Sequence, residues 1–254
     1  MEKNSKFSFD KNINSFSPEG RLYQVEYAIK AAEISGATCI AIKGFDTICV
    51  VEDKKRNSGD ETLINDSISF KINNRTGCVC SGIPGDLNFF KSEIIEEFCK
   101  FYQSNGFEIS VDQLANALSM KNQALTQQAF TRIPAVKTIL FGIDKEIGPL
   151  LLKLDPSGYF SSHSSCAIGE KANEFIGYIQ KNNISSEIKY FSREKTIINT
   201  ISFLEHILKT DLKAIEMQIS VVSVRNKIQI LSLIEIDNYL EKLKKINQII
   251  EIQN

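Results

Sequence analysis

No uncharged apolar run in the chain approaches the ~20 residues that a membrane-spanning helix needs. The opening Met1-Glu2-Lys3-Asn4-Ser5-Lys6 lacks the apolar core of a secretory signal. Neither sign of charge dominates: thirty Lys and Arg stand against thirty-one Asp and Glu, a net charge of −1. That balance argues against the broad basic field of nucleic-acid binders, and no acidic tail is visible. Histidine is scarce, with two residues, and the cysteines number six. Without a secretory signal those thiols are expected to be reduced rather than a disulfide scaffold. The common enzymatic motifs are missing as well: there is no G-x-G-x-x-G, Walker loop, H-E-x-x-H or G-x-S-x-G. With 254 residues, 43% of them hydrophobic, the chain can still bury a sizeable core. The expectation is a soluble, intracellular, single-domain protein.

What is present is strongly patterned. Ser17 fits an N-cap, Pro18 the first helical position and Glu19 the positive end of the helix dipole, so a helix is predicted over 17–35. Leu22, Val25, Ile29 and Ala32 form its stripe, and Gly36 is a natural stop. From Ala37 the period changes. Ala37–Ile42 and Thr47–Glu52 read as a hairpin, and Ser69–Ile72 with Thr76–Ser81 as two further strands. Two helical stripes follow, Leu87-Phe90-Ile94-Phe98-Phe101 and Val111-Leu114-Leu118-Leu125-Ala129. Strands return at Val136–Ile143, Leu150–Leu154 and Gly158–Ser161. Helices are expected over Glu170–Lys181 and Arg193–Lys209, then a hairpin from Ile215–Val224 and Lys227–Leu231, and a closing helix over Ile234–Lys245. Strands in hairpin groups and helices in pairs predict an α+β fold of antiparallel sheets with helices layered outside.

Few residues invite chemistry. His163, within Ser161-Ser162-His163-Ser164-Ser165, reads as a polar loop or strand-edge residue. His206 lies off the Ile201-Leu204-Leu208 stripe and reads as a surface residue. Cys78-Val79-Cys80 resembles half a metal site, but its alternation fits a strand with both thiols on one face, and no second Cys/His pair is spaced to complete a tetrahedron.

One block is far from generic: Phe16-Ser17-Pro18-Glu19-Gly20-Arg21-Leu22-Tyr23-Gln24-Val25-Glu26-Tyr27-Ala28. It resembles the N-terminal signature of proteasome α subunits, and Phe9-Asp10-Lys11 resembles the Tyr-Asp-Arg element that precedes it. Ser81-Gly82, Gly142-Ile143-Asp144, Gly148-Pro149, Asp155-Pro156-Ser157-Gly158 and Ala167-Ile168-Gly169 match in order, so the resemblance spans about residues 7–245. Phe9-Asp10, Asn105–Ile109 and Glu235-Ile236-Asp237 are most similar to one branch of the family. The resemblance implies a four-layer αββα sandwich of the N-terminal nucleophile hydrolase type with an extra N-terminal helix. It divides the chain into a gate segment over 1–16, the helix over 17–35, the sandwich over 36–245 and a tail over 246–254.

The catalytic relatives of that fold use an N-terminal threonine whose own amine is the base. Gapless alignment puts the nucleophile position at Ala37, with Thr38 adjacent but facing the other way. Asp53 falls at an acidic site position, and the site lysine falls near Ile68 and Ser69, with Lys71 the nearest lysine. The resemblance therefore implies a non-catalytic subunit with no catalytic residue, metal or cofactor. Its implied role is structural and regulatory, in ubiquitin-dependent protein degradation in the cytoplasm and nucleus. The implied partners are neighbouring α subunits in a seven-membered ring, β-ring subunits, and regulatory ATPases or other activators, with no nucleic acid and no membrane. A gate cluster is implied at Phe9, Asp10, Pro18 and Tyr27, where Phe9 lacks the usual tyrosine hydroxyl and Lys11 lacks the bidentate geometry of arginine. An activator-tail pocket is implied at Gly36, Gly82 and Ile83, its lysine position occupied by Ile68. In Arg132-Ile133-Pro134-Ala135 the proline stands one place later than is usual in the family, which sets that loop apart. Two alternatives stay open: a self-processing peptidase cut before Thr38 or Ser35, and a diverged ring member with only an assembly role.

Overall fold

The computed structural model describes residues 15–54, 67–128 and 130–253. Two five-stranded antiparallel sheets lie face to face. One is ordered β10-β9-β2-β1-β8 and the other β3-β4-β5-β6-β7, where β1 is Cys39–Lys43, β2 Thr47–Asp53, β3 Ser67–Lys71, β4 Thr76–Gly82 and β5 Val136–Asp144. The remaining strands are β6 (Gly148–Leu154), β7 (Phe160–Ser162), β8 (Ser165–Ile168), β9 (Met217–Ser223) and β10 (Gln229–Ile230). Helices α2 (Pro84–Asn105) and α3 (Val111–Leu125) cover the second sheet. Helices α4 (Ala172–Lys181), α5 (Ser185–Ile188), α6 (Arg193–Leu208) and α7 (Leu233–Gln253) lie on the side of the first. Helix α1 (Tyr23–Ser35) packs at one end, against β4 and β5.

The central strands serve two cores at once. On β1, Ile40 and Ile42 face the helices while Cys39 and Ala41 face the opposing sheet. On β4, Cys78 and Cys80 face α2 and α3, and Val79 between them faces inward. This double burial explains why the strands read as unbroken apolar runs rather than as polar–apolar alternation. The helices obey their local signals: Pro84 occupies the first turn of α2, Gly106 ends it at φ 75°, and the Ser110 hydroxyl accepts from the Gln113 N–H at 3.3 Å to cap α3.

The structure departs from the pattern in four places. Helix α1 begins at Tyr23, not at Ser17. Ser17 instead closes a turn, donating from its N–H to the Arg21 carbonyl (2.9 Å) and accepting the Arg21 N–H on its hydroxyl (3.1 Å). Gly20, at φ 77°, is the residue that forbids a continuous helix there. The polar stretch Ser161–Ser165 masks β8, an edge strand paired only with β1, whose apolar part is the short Cys166–Ile168. Single-turn α5 was not predicted and is anchored by buried Ile188. Helix α7 extends past Lys245 to Gln253.

Phe141 is the largest side chain fully enclosed between the sheets. It fills the space over Gly77, where a Cβ would come within 2.5 Å of its ring. Phe141→Ala is expected to destabilise the chain by about 3–5 kcal/mol, read as a lowered urea midpoint with an unchanged m-value.

Candidate functional site

Most of the candidate positions among the described residues lie where α1 meets the end of the sandwich. Val25 and Ala28 on α1 pack on Ile133, so the Arg132–Ala135 loop is the seat of the helix. That loop is fixed from below by Asp86, in the first turn of α2. Arg132 grips the Asp86 carboxylate with both guanidinium nitrogens, one at 2.6 Å from Oδ2, and the Ala135 N–H donates to the same Oδ2 at 2.8 Å. Burial opposes ionisation of Asp86, but these hydrogen bonds and the Arg132 charge outweigh it and hold the carboxyl below the ordinary carboxylate range. The shifted proline therefore leaves an ordered loop, with the Ile83 N–H bonded to the Ala135 carbonyl at 3.1 Å.

At the far end of α1 the backbone approaches β4 without side chains between. A Cβ on Gly36 would lie 2.9 Å from the Gly82 nitrogen and 2.2 Å from the Ser81 hydroxyl. The structure thus brings Gly36, Gly82 and Ile83 together. Ile68 lies opposite Cys80 on β3, packed against the core beneath α2, on the strand face that Gly82 continues. Of the positions expected to form a gate cluster, Pro18 is exposed in the Ser17–Arg21 turn, and Tyr27 is 47% exposed and stacked on Tyr23 with centroids 6.2 Å apart. Phe9 and Asp10 lie outside the described residues, as does Lys11.

Ala37, the residue that gapless alignment sets at the nucleophile position, carries only a methyl group. Ala37 is buried in continuous peptide linkage between α1 and β1, its carbonyl accepting from the Ser81 hydroxyl at 2.7 Å. The Thr38 hydroxyl accepts from the Lys171 N–H at 3.4 Å, and its carbonyl accepts the Asp53 N–H. Asp53 ends β2 opposite Met217. Ser69 reaches across the gap between the sheets, its hydroxyl 3.2 Å from that of Ser220, whereas Lys71 bonds Asn74 in its own turn.

Sequence reasoning missed the lysine that does enter this region. Lys137 on β5 stands opposite Ser81, is buried, and places its ammonium 2.6 Å from Glu33 of α1 and 3.8 Å from Asp155. Its signal was alternation: Lys137, Ile139 and Phe141 share one strand face, which is the inward one. Here the charge ties the helix to the sandwich.

Cys78 and Cys80 sit on one face as expected, sulfurs 3.4 Å apart among apolar side chains, and burial pushes the Cys78 thiol well up. Burial pushes Cys49 and Cys166 up to about 12. Protonated thiols of this kind are poor nucleophiles and poor metal ligands. Among the described residues no group of three or more His, Cys, Asp and Glu converges to hold a metal ion, and no helix is long and apolar enough to cross a membrane.

Two facing antiparallel sheets with helices outside, plus a helix over one end, define the αββα sandwich of the N-terminal nucleophile hydrolase type. Residues 34–222 match the proteasome subunit family, and residues 9–31 match the N-terminal signature of its A-type members. The chain belongs to the proteasome subunit family, as an α-type member. It is 35% identical to the probable alpha type-1 proteasome subunit of Schizosaccharomyces pombe, over 92% of this chain and 96% of that protein. It is 29% identical to the alpha type-6 proteasome subunit of Caenorhabditis elegans, over 89% of this chain and 91% of the relative. With the alpha proteasome subunit of Metallosphaera sedula it shares 27%, over 92% and 96% respectively.

Because the folded Asp86 value is depressed, its contribution to stability is complete above the ordinary carboxylate value of about 4. It declines as the pH falls below that and is gone below the folded value. Asp86→Asn is expected to lower stability at pH 7 by about 1–3 kcal/mol, with the gap to the unsubstituted chain closing below about pH 4 in thermal melts across pH.

Proposed function

We propose that this chain is a non-catalytic structural subunit of the outer ring of the 20S proteasome core. In this reading it contacts two α neighbours and the β ring, and takes part in gating and activator docking during ubiquitin-dependent degradation in the cytoplasm and nucleus. Its ring place is that of alpha type-6, the alpha-1 position, on the strength of Phe9-Asp10, Asn105–Ile109 and Glu235-Ile236-Asp237. The observation that carries the reading is the unbroken passage of α1 through Gly36 into β1, with Ala37 at the nucleophile position. A threonine peptidase of this fold needs a free amine and a hydroxyl on one terminal residue. Cleavage before Thr38 would detach α1, which Lys137–Glu33 and the Ile133 contact retain, and would expose a threonine turned toward Lys171.

Native mass spectrometry of the complex from its own cells, followed by intact mass of this chain, tests the reading. A particle of four stacked seven-membered rings, holding this chain uncut through Ala37 and Thr38, is expected. A smaller species whose chain begins at Thr38 or Ser35 would establish the self-processing peptidase instead.

Ile68 favours a more specific reading of the pocket. In the family a lysine pairs with the carboxylate of an activator's C-terminal tail, and a carboxylate without that partner forgoes a charge-assisted hydrogen bond of about 1.5–3 kcal/mol. This pocket is expected to bind activator tails weakly, and Ile68→Lys to strengthen the binding. Photo-crosslinking with tail peptides in the assembled particle checks it: labelling here as strong as at lysine-bearing pockets overturns the idea.

A further inference from the structure

A cavity of about 260 Å³ opens between the edge strands of the two sheets and α4, away from α1. Its polar wall comes from Lys153 on β6, His163 and Ser165 after β7, and Gln180 on α4. Its apolar wall is Phe175 and Ile179 of α4. No carboxylate lines it.

The arrangement follows from the strand register. Lys153 stands opposite Ser161, and the His163 N–H bonds the Leu151 carbonyl at 2.9 Å, so all three side chains share the inward face of an edge. The imidazole Nε2 of His163 is 2.7 Å from the Ser161 hydroxyl, which fixes the ring. Lys153 is half-buried, yet among the described residues its ammonium has neither an ion-pair nor a hydrogen-bond partner. Desolvating a cation without an acceptor is costly, and the serine hydroxyl and glutamine amide around it can each donate to an anion as well.

We propose that this cavity is a binding site for a small organic monoanion, a carboxylate with a short apolar body. The carboxylate meets Lys153 and His163, and the body lies on Phe175 and Ile179. Charge sets the valence: Lys153 is the one cationic side chain in the lining. Burial first, and then Lys153, lowers the His163 value against a smaller opposing pull from Asp155, so the ring is neutral near pH 7. Helix α4 adds no charged side chain to the lining. A bound anion favours the imidazolium and so raises the His163 value.

The two histidines, His163 and His206, make the test direct. His206 lies on exposed α6 surface, its ring 4.5 Å from that of Tyr178, and serves as the internal reference. Hexanoate is titrated into the full chain carrying ¹³C-labelled histidine, with hexanol and inorganic phosphate as separate arms. Saturable movement of the His163 resonance and a raised His163 titration midpoint, with His206 unmoved, are expected from hexanoate. Lys153→Gln is expected to weaken hexanoate about tenfold or more, and an unchanged His206 signal certifies that the variant is folded. A His163 signal indifferent to millimolar hexanoate, or an equal response in Lys153→Gln, overturns the proposal. Hexanol binding as tightly removes the anion, and phosphate binding as tightly removes the apolar body; either result also overturns it.

Discussion

Both faces of both sheets are covered, and this constraint decides where anything polar can happen. A strand buried on two sides can carry almost no charge, because an unpartnered ion in such a place costs several kcal/mol. The ionisable groups of the sandwich are accordingly displaced to its ends and edges. Lys137 and Glu33 meet at one end, Asp86 and Arg132 just outside it, and Lys153 and His163 at an edge. Charged contacts in the sandwich are thus confined to those margins, and the interior supplies rigidity.

At the end that α1 covers, the same scaffold could support a terminal nucleophile or a permanent lid. The choice is made by covalent continuity. Once the chain runs from helix through Gly36 into β1, the nitrogen of Ala37 is an amide and cannot act as a base. The buried lysine of the neighbourhood then has a carboxylate on the helix to hold, and the glycine contact sets how closely the helix lies. Covalent continuity through Gly36 thus makes this end of the sandwich a mounting for a helix.

Much of this was visible in the residues. The layered α+β arrangement followed from hairpin groups and paired helical stripes, and Cys78-Val79-Cys80 declared its strand geometry by alternation alone. What escaped was whatever depended on partners distant in sequence. Ser17 and Pro18 looked like a helix start because capping chemistry is also turn chemistry; only Gly20 and the return bond from Arg21 distinguish them. β8 was hidden because its apolar part, Cys166–Ile168, is only three residues long and follows a serine-rich stretch. Lys137 gave no motif, and its meaning rests on Glu33, far earlier in the chain. Ile68 was named from alignment, and its packing beneath α2 could not be read without the register.

The distribution of strands along the chain has a consequence for biosynthesis. The sheet of β3 to β7 is continuous in sequence, with α2 and α3 inserted, so it can close as soon as β7 has emerged from the ribosome. The other sheet joins the early hairpin β1–β2 to β8, β9 and β10, which are made much later. The hairpin must therefore wait for its sheet partners while an intervening half-sandwich assembles. Delayed pairing of this kind leaves an interval in which a nascent chain is vulnerable to aggregation. That interval ends only when β8, β9 and β10 have joined the hairpin and the second sheet closes over the first.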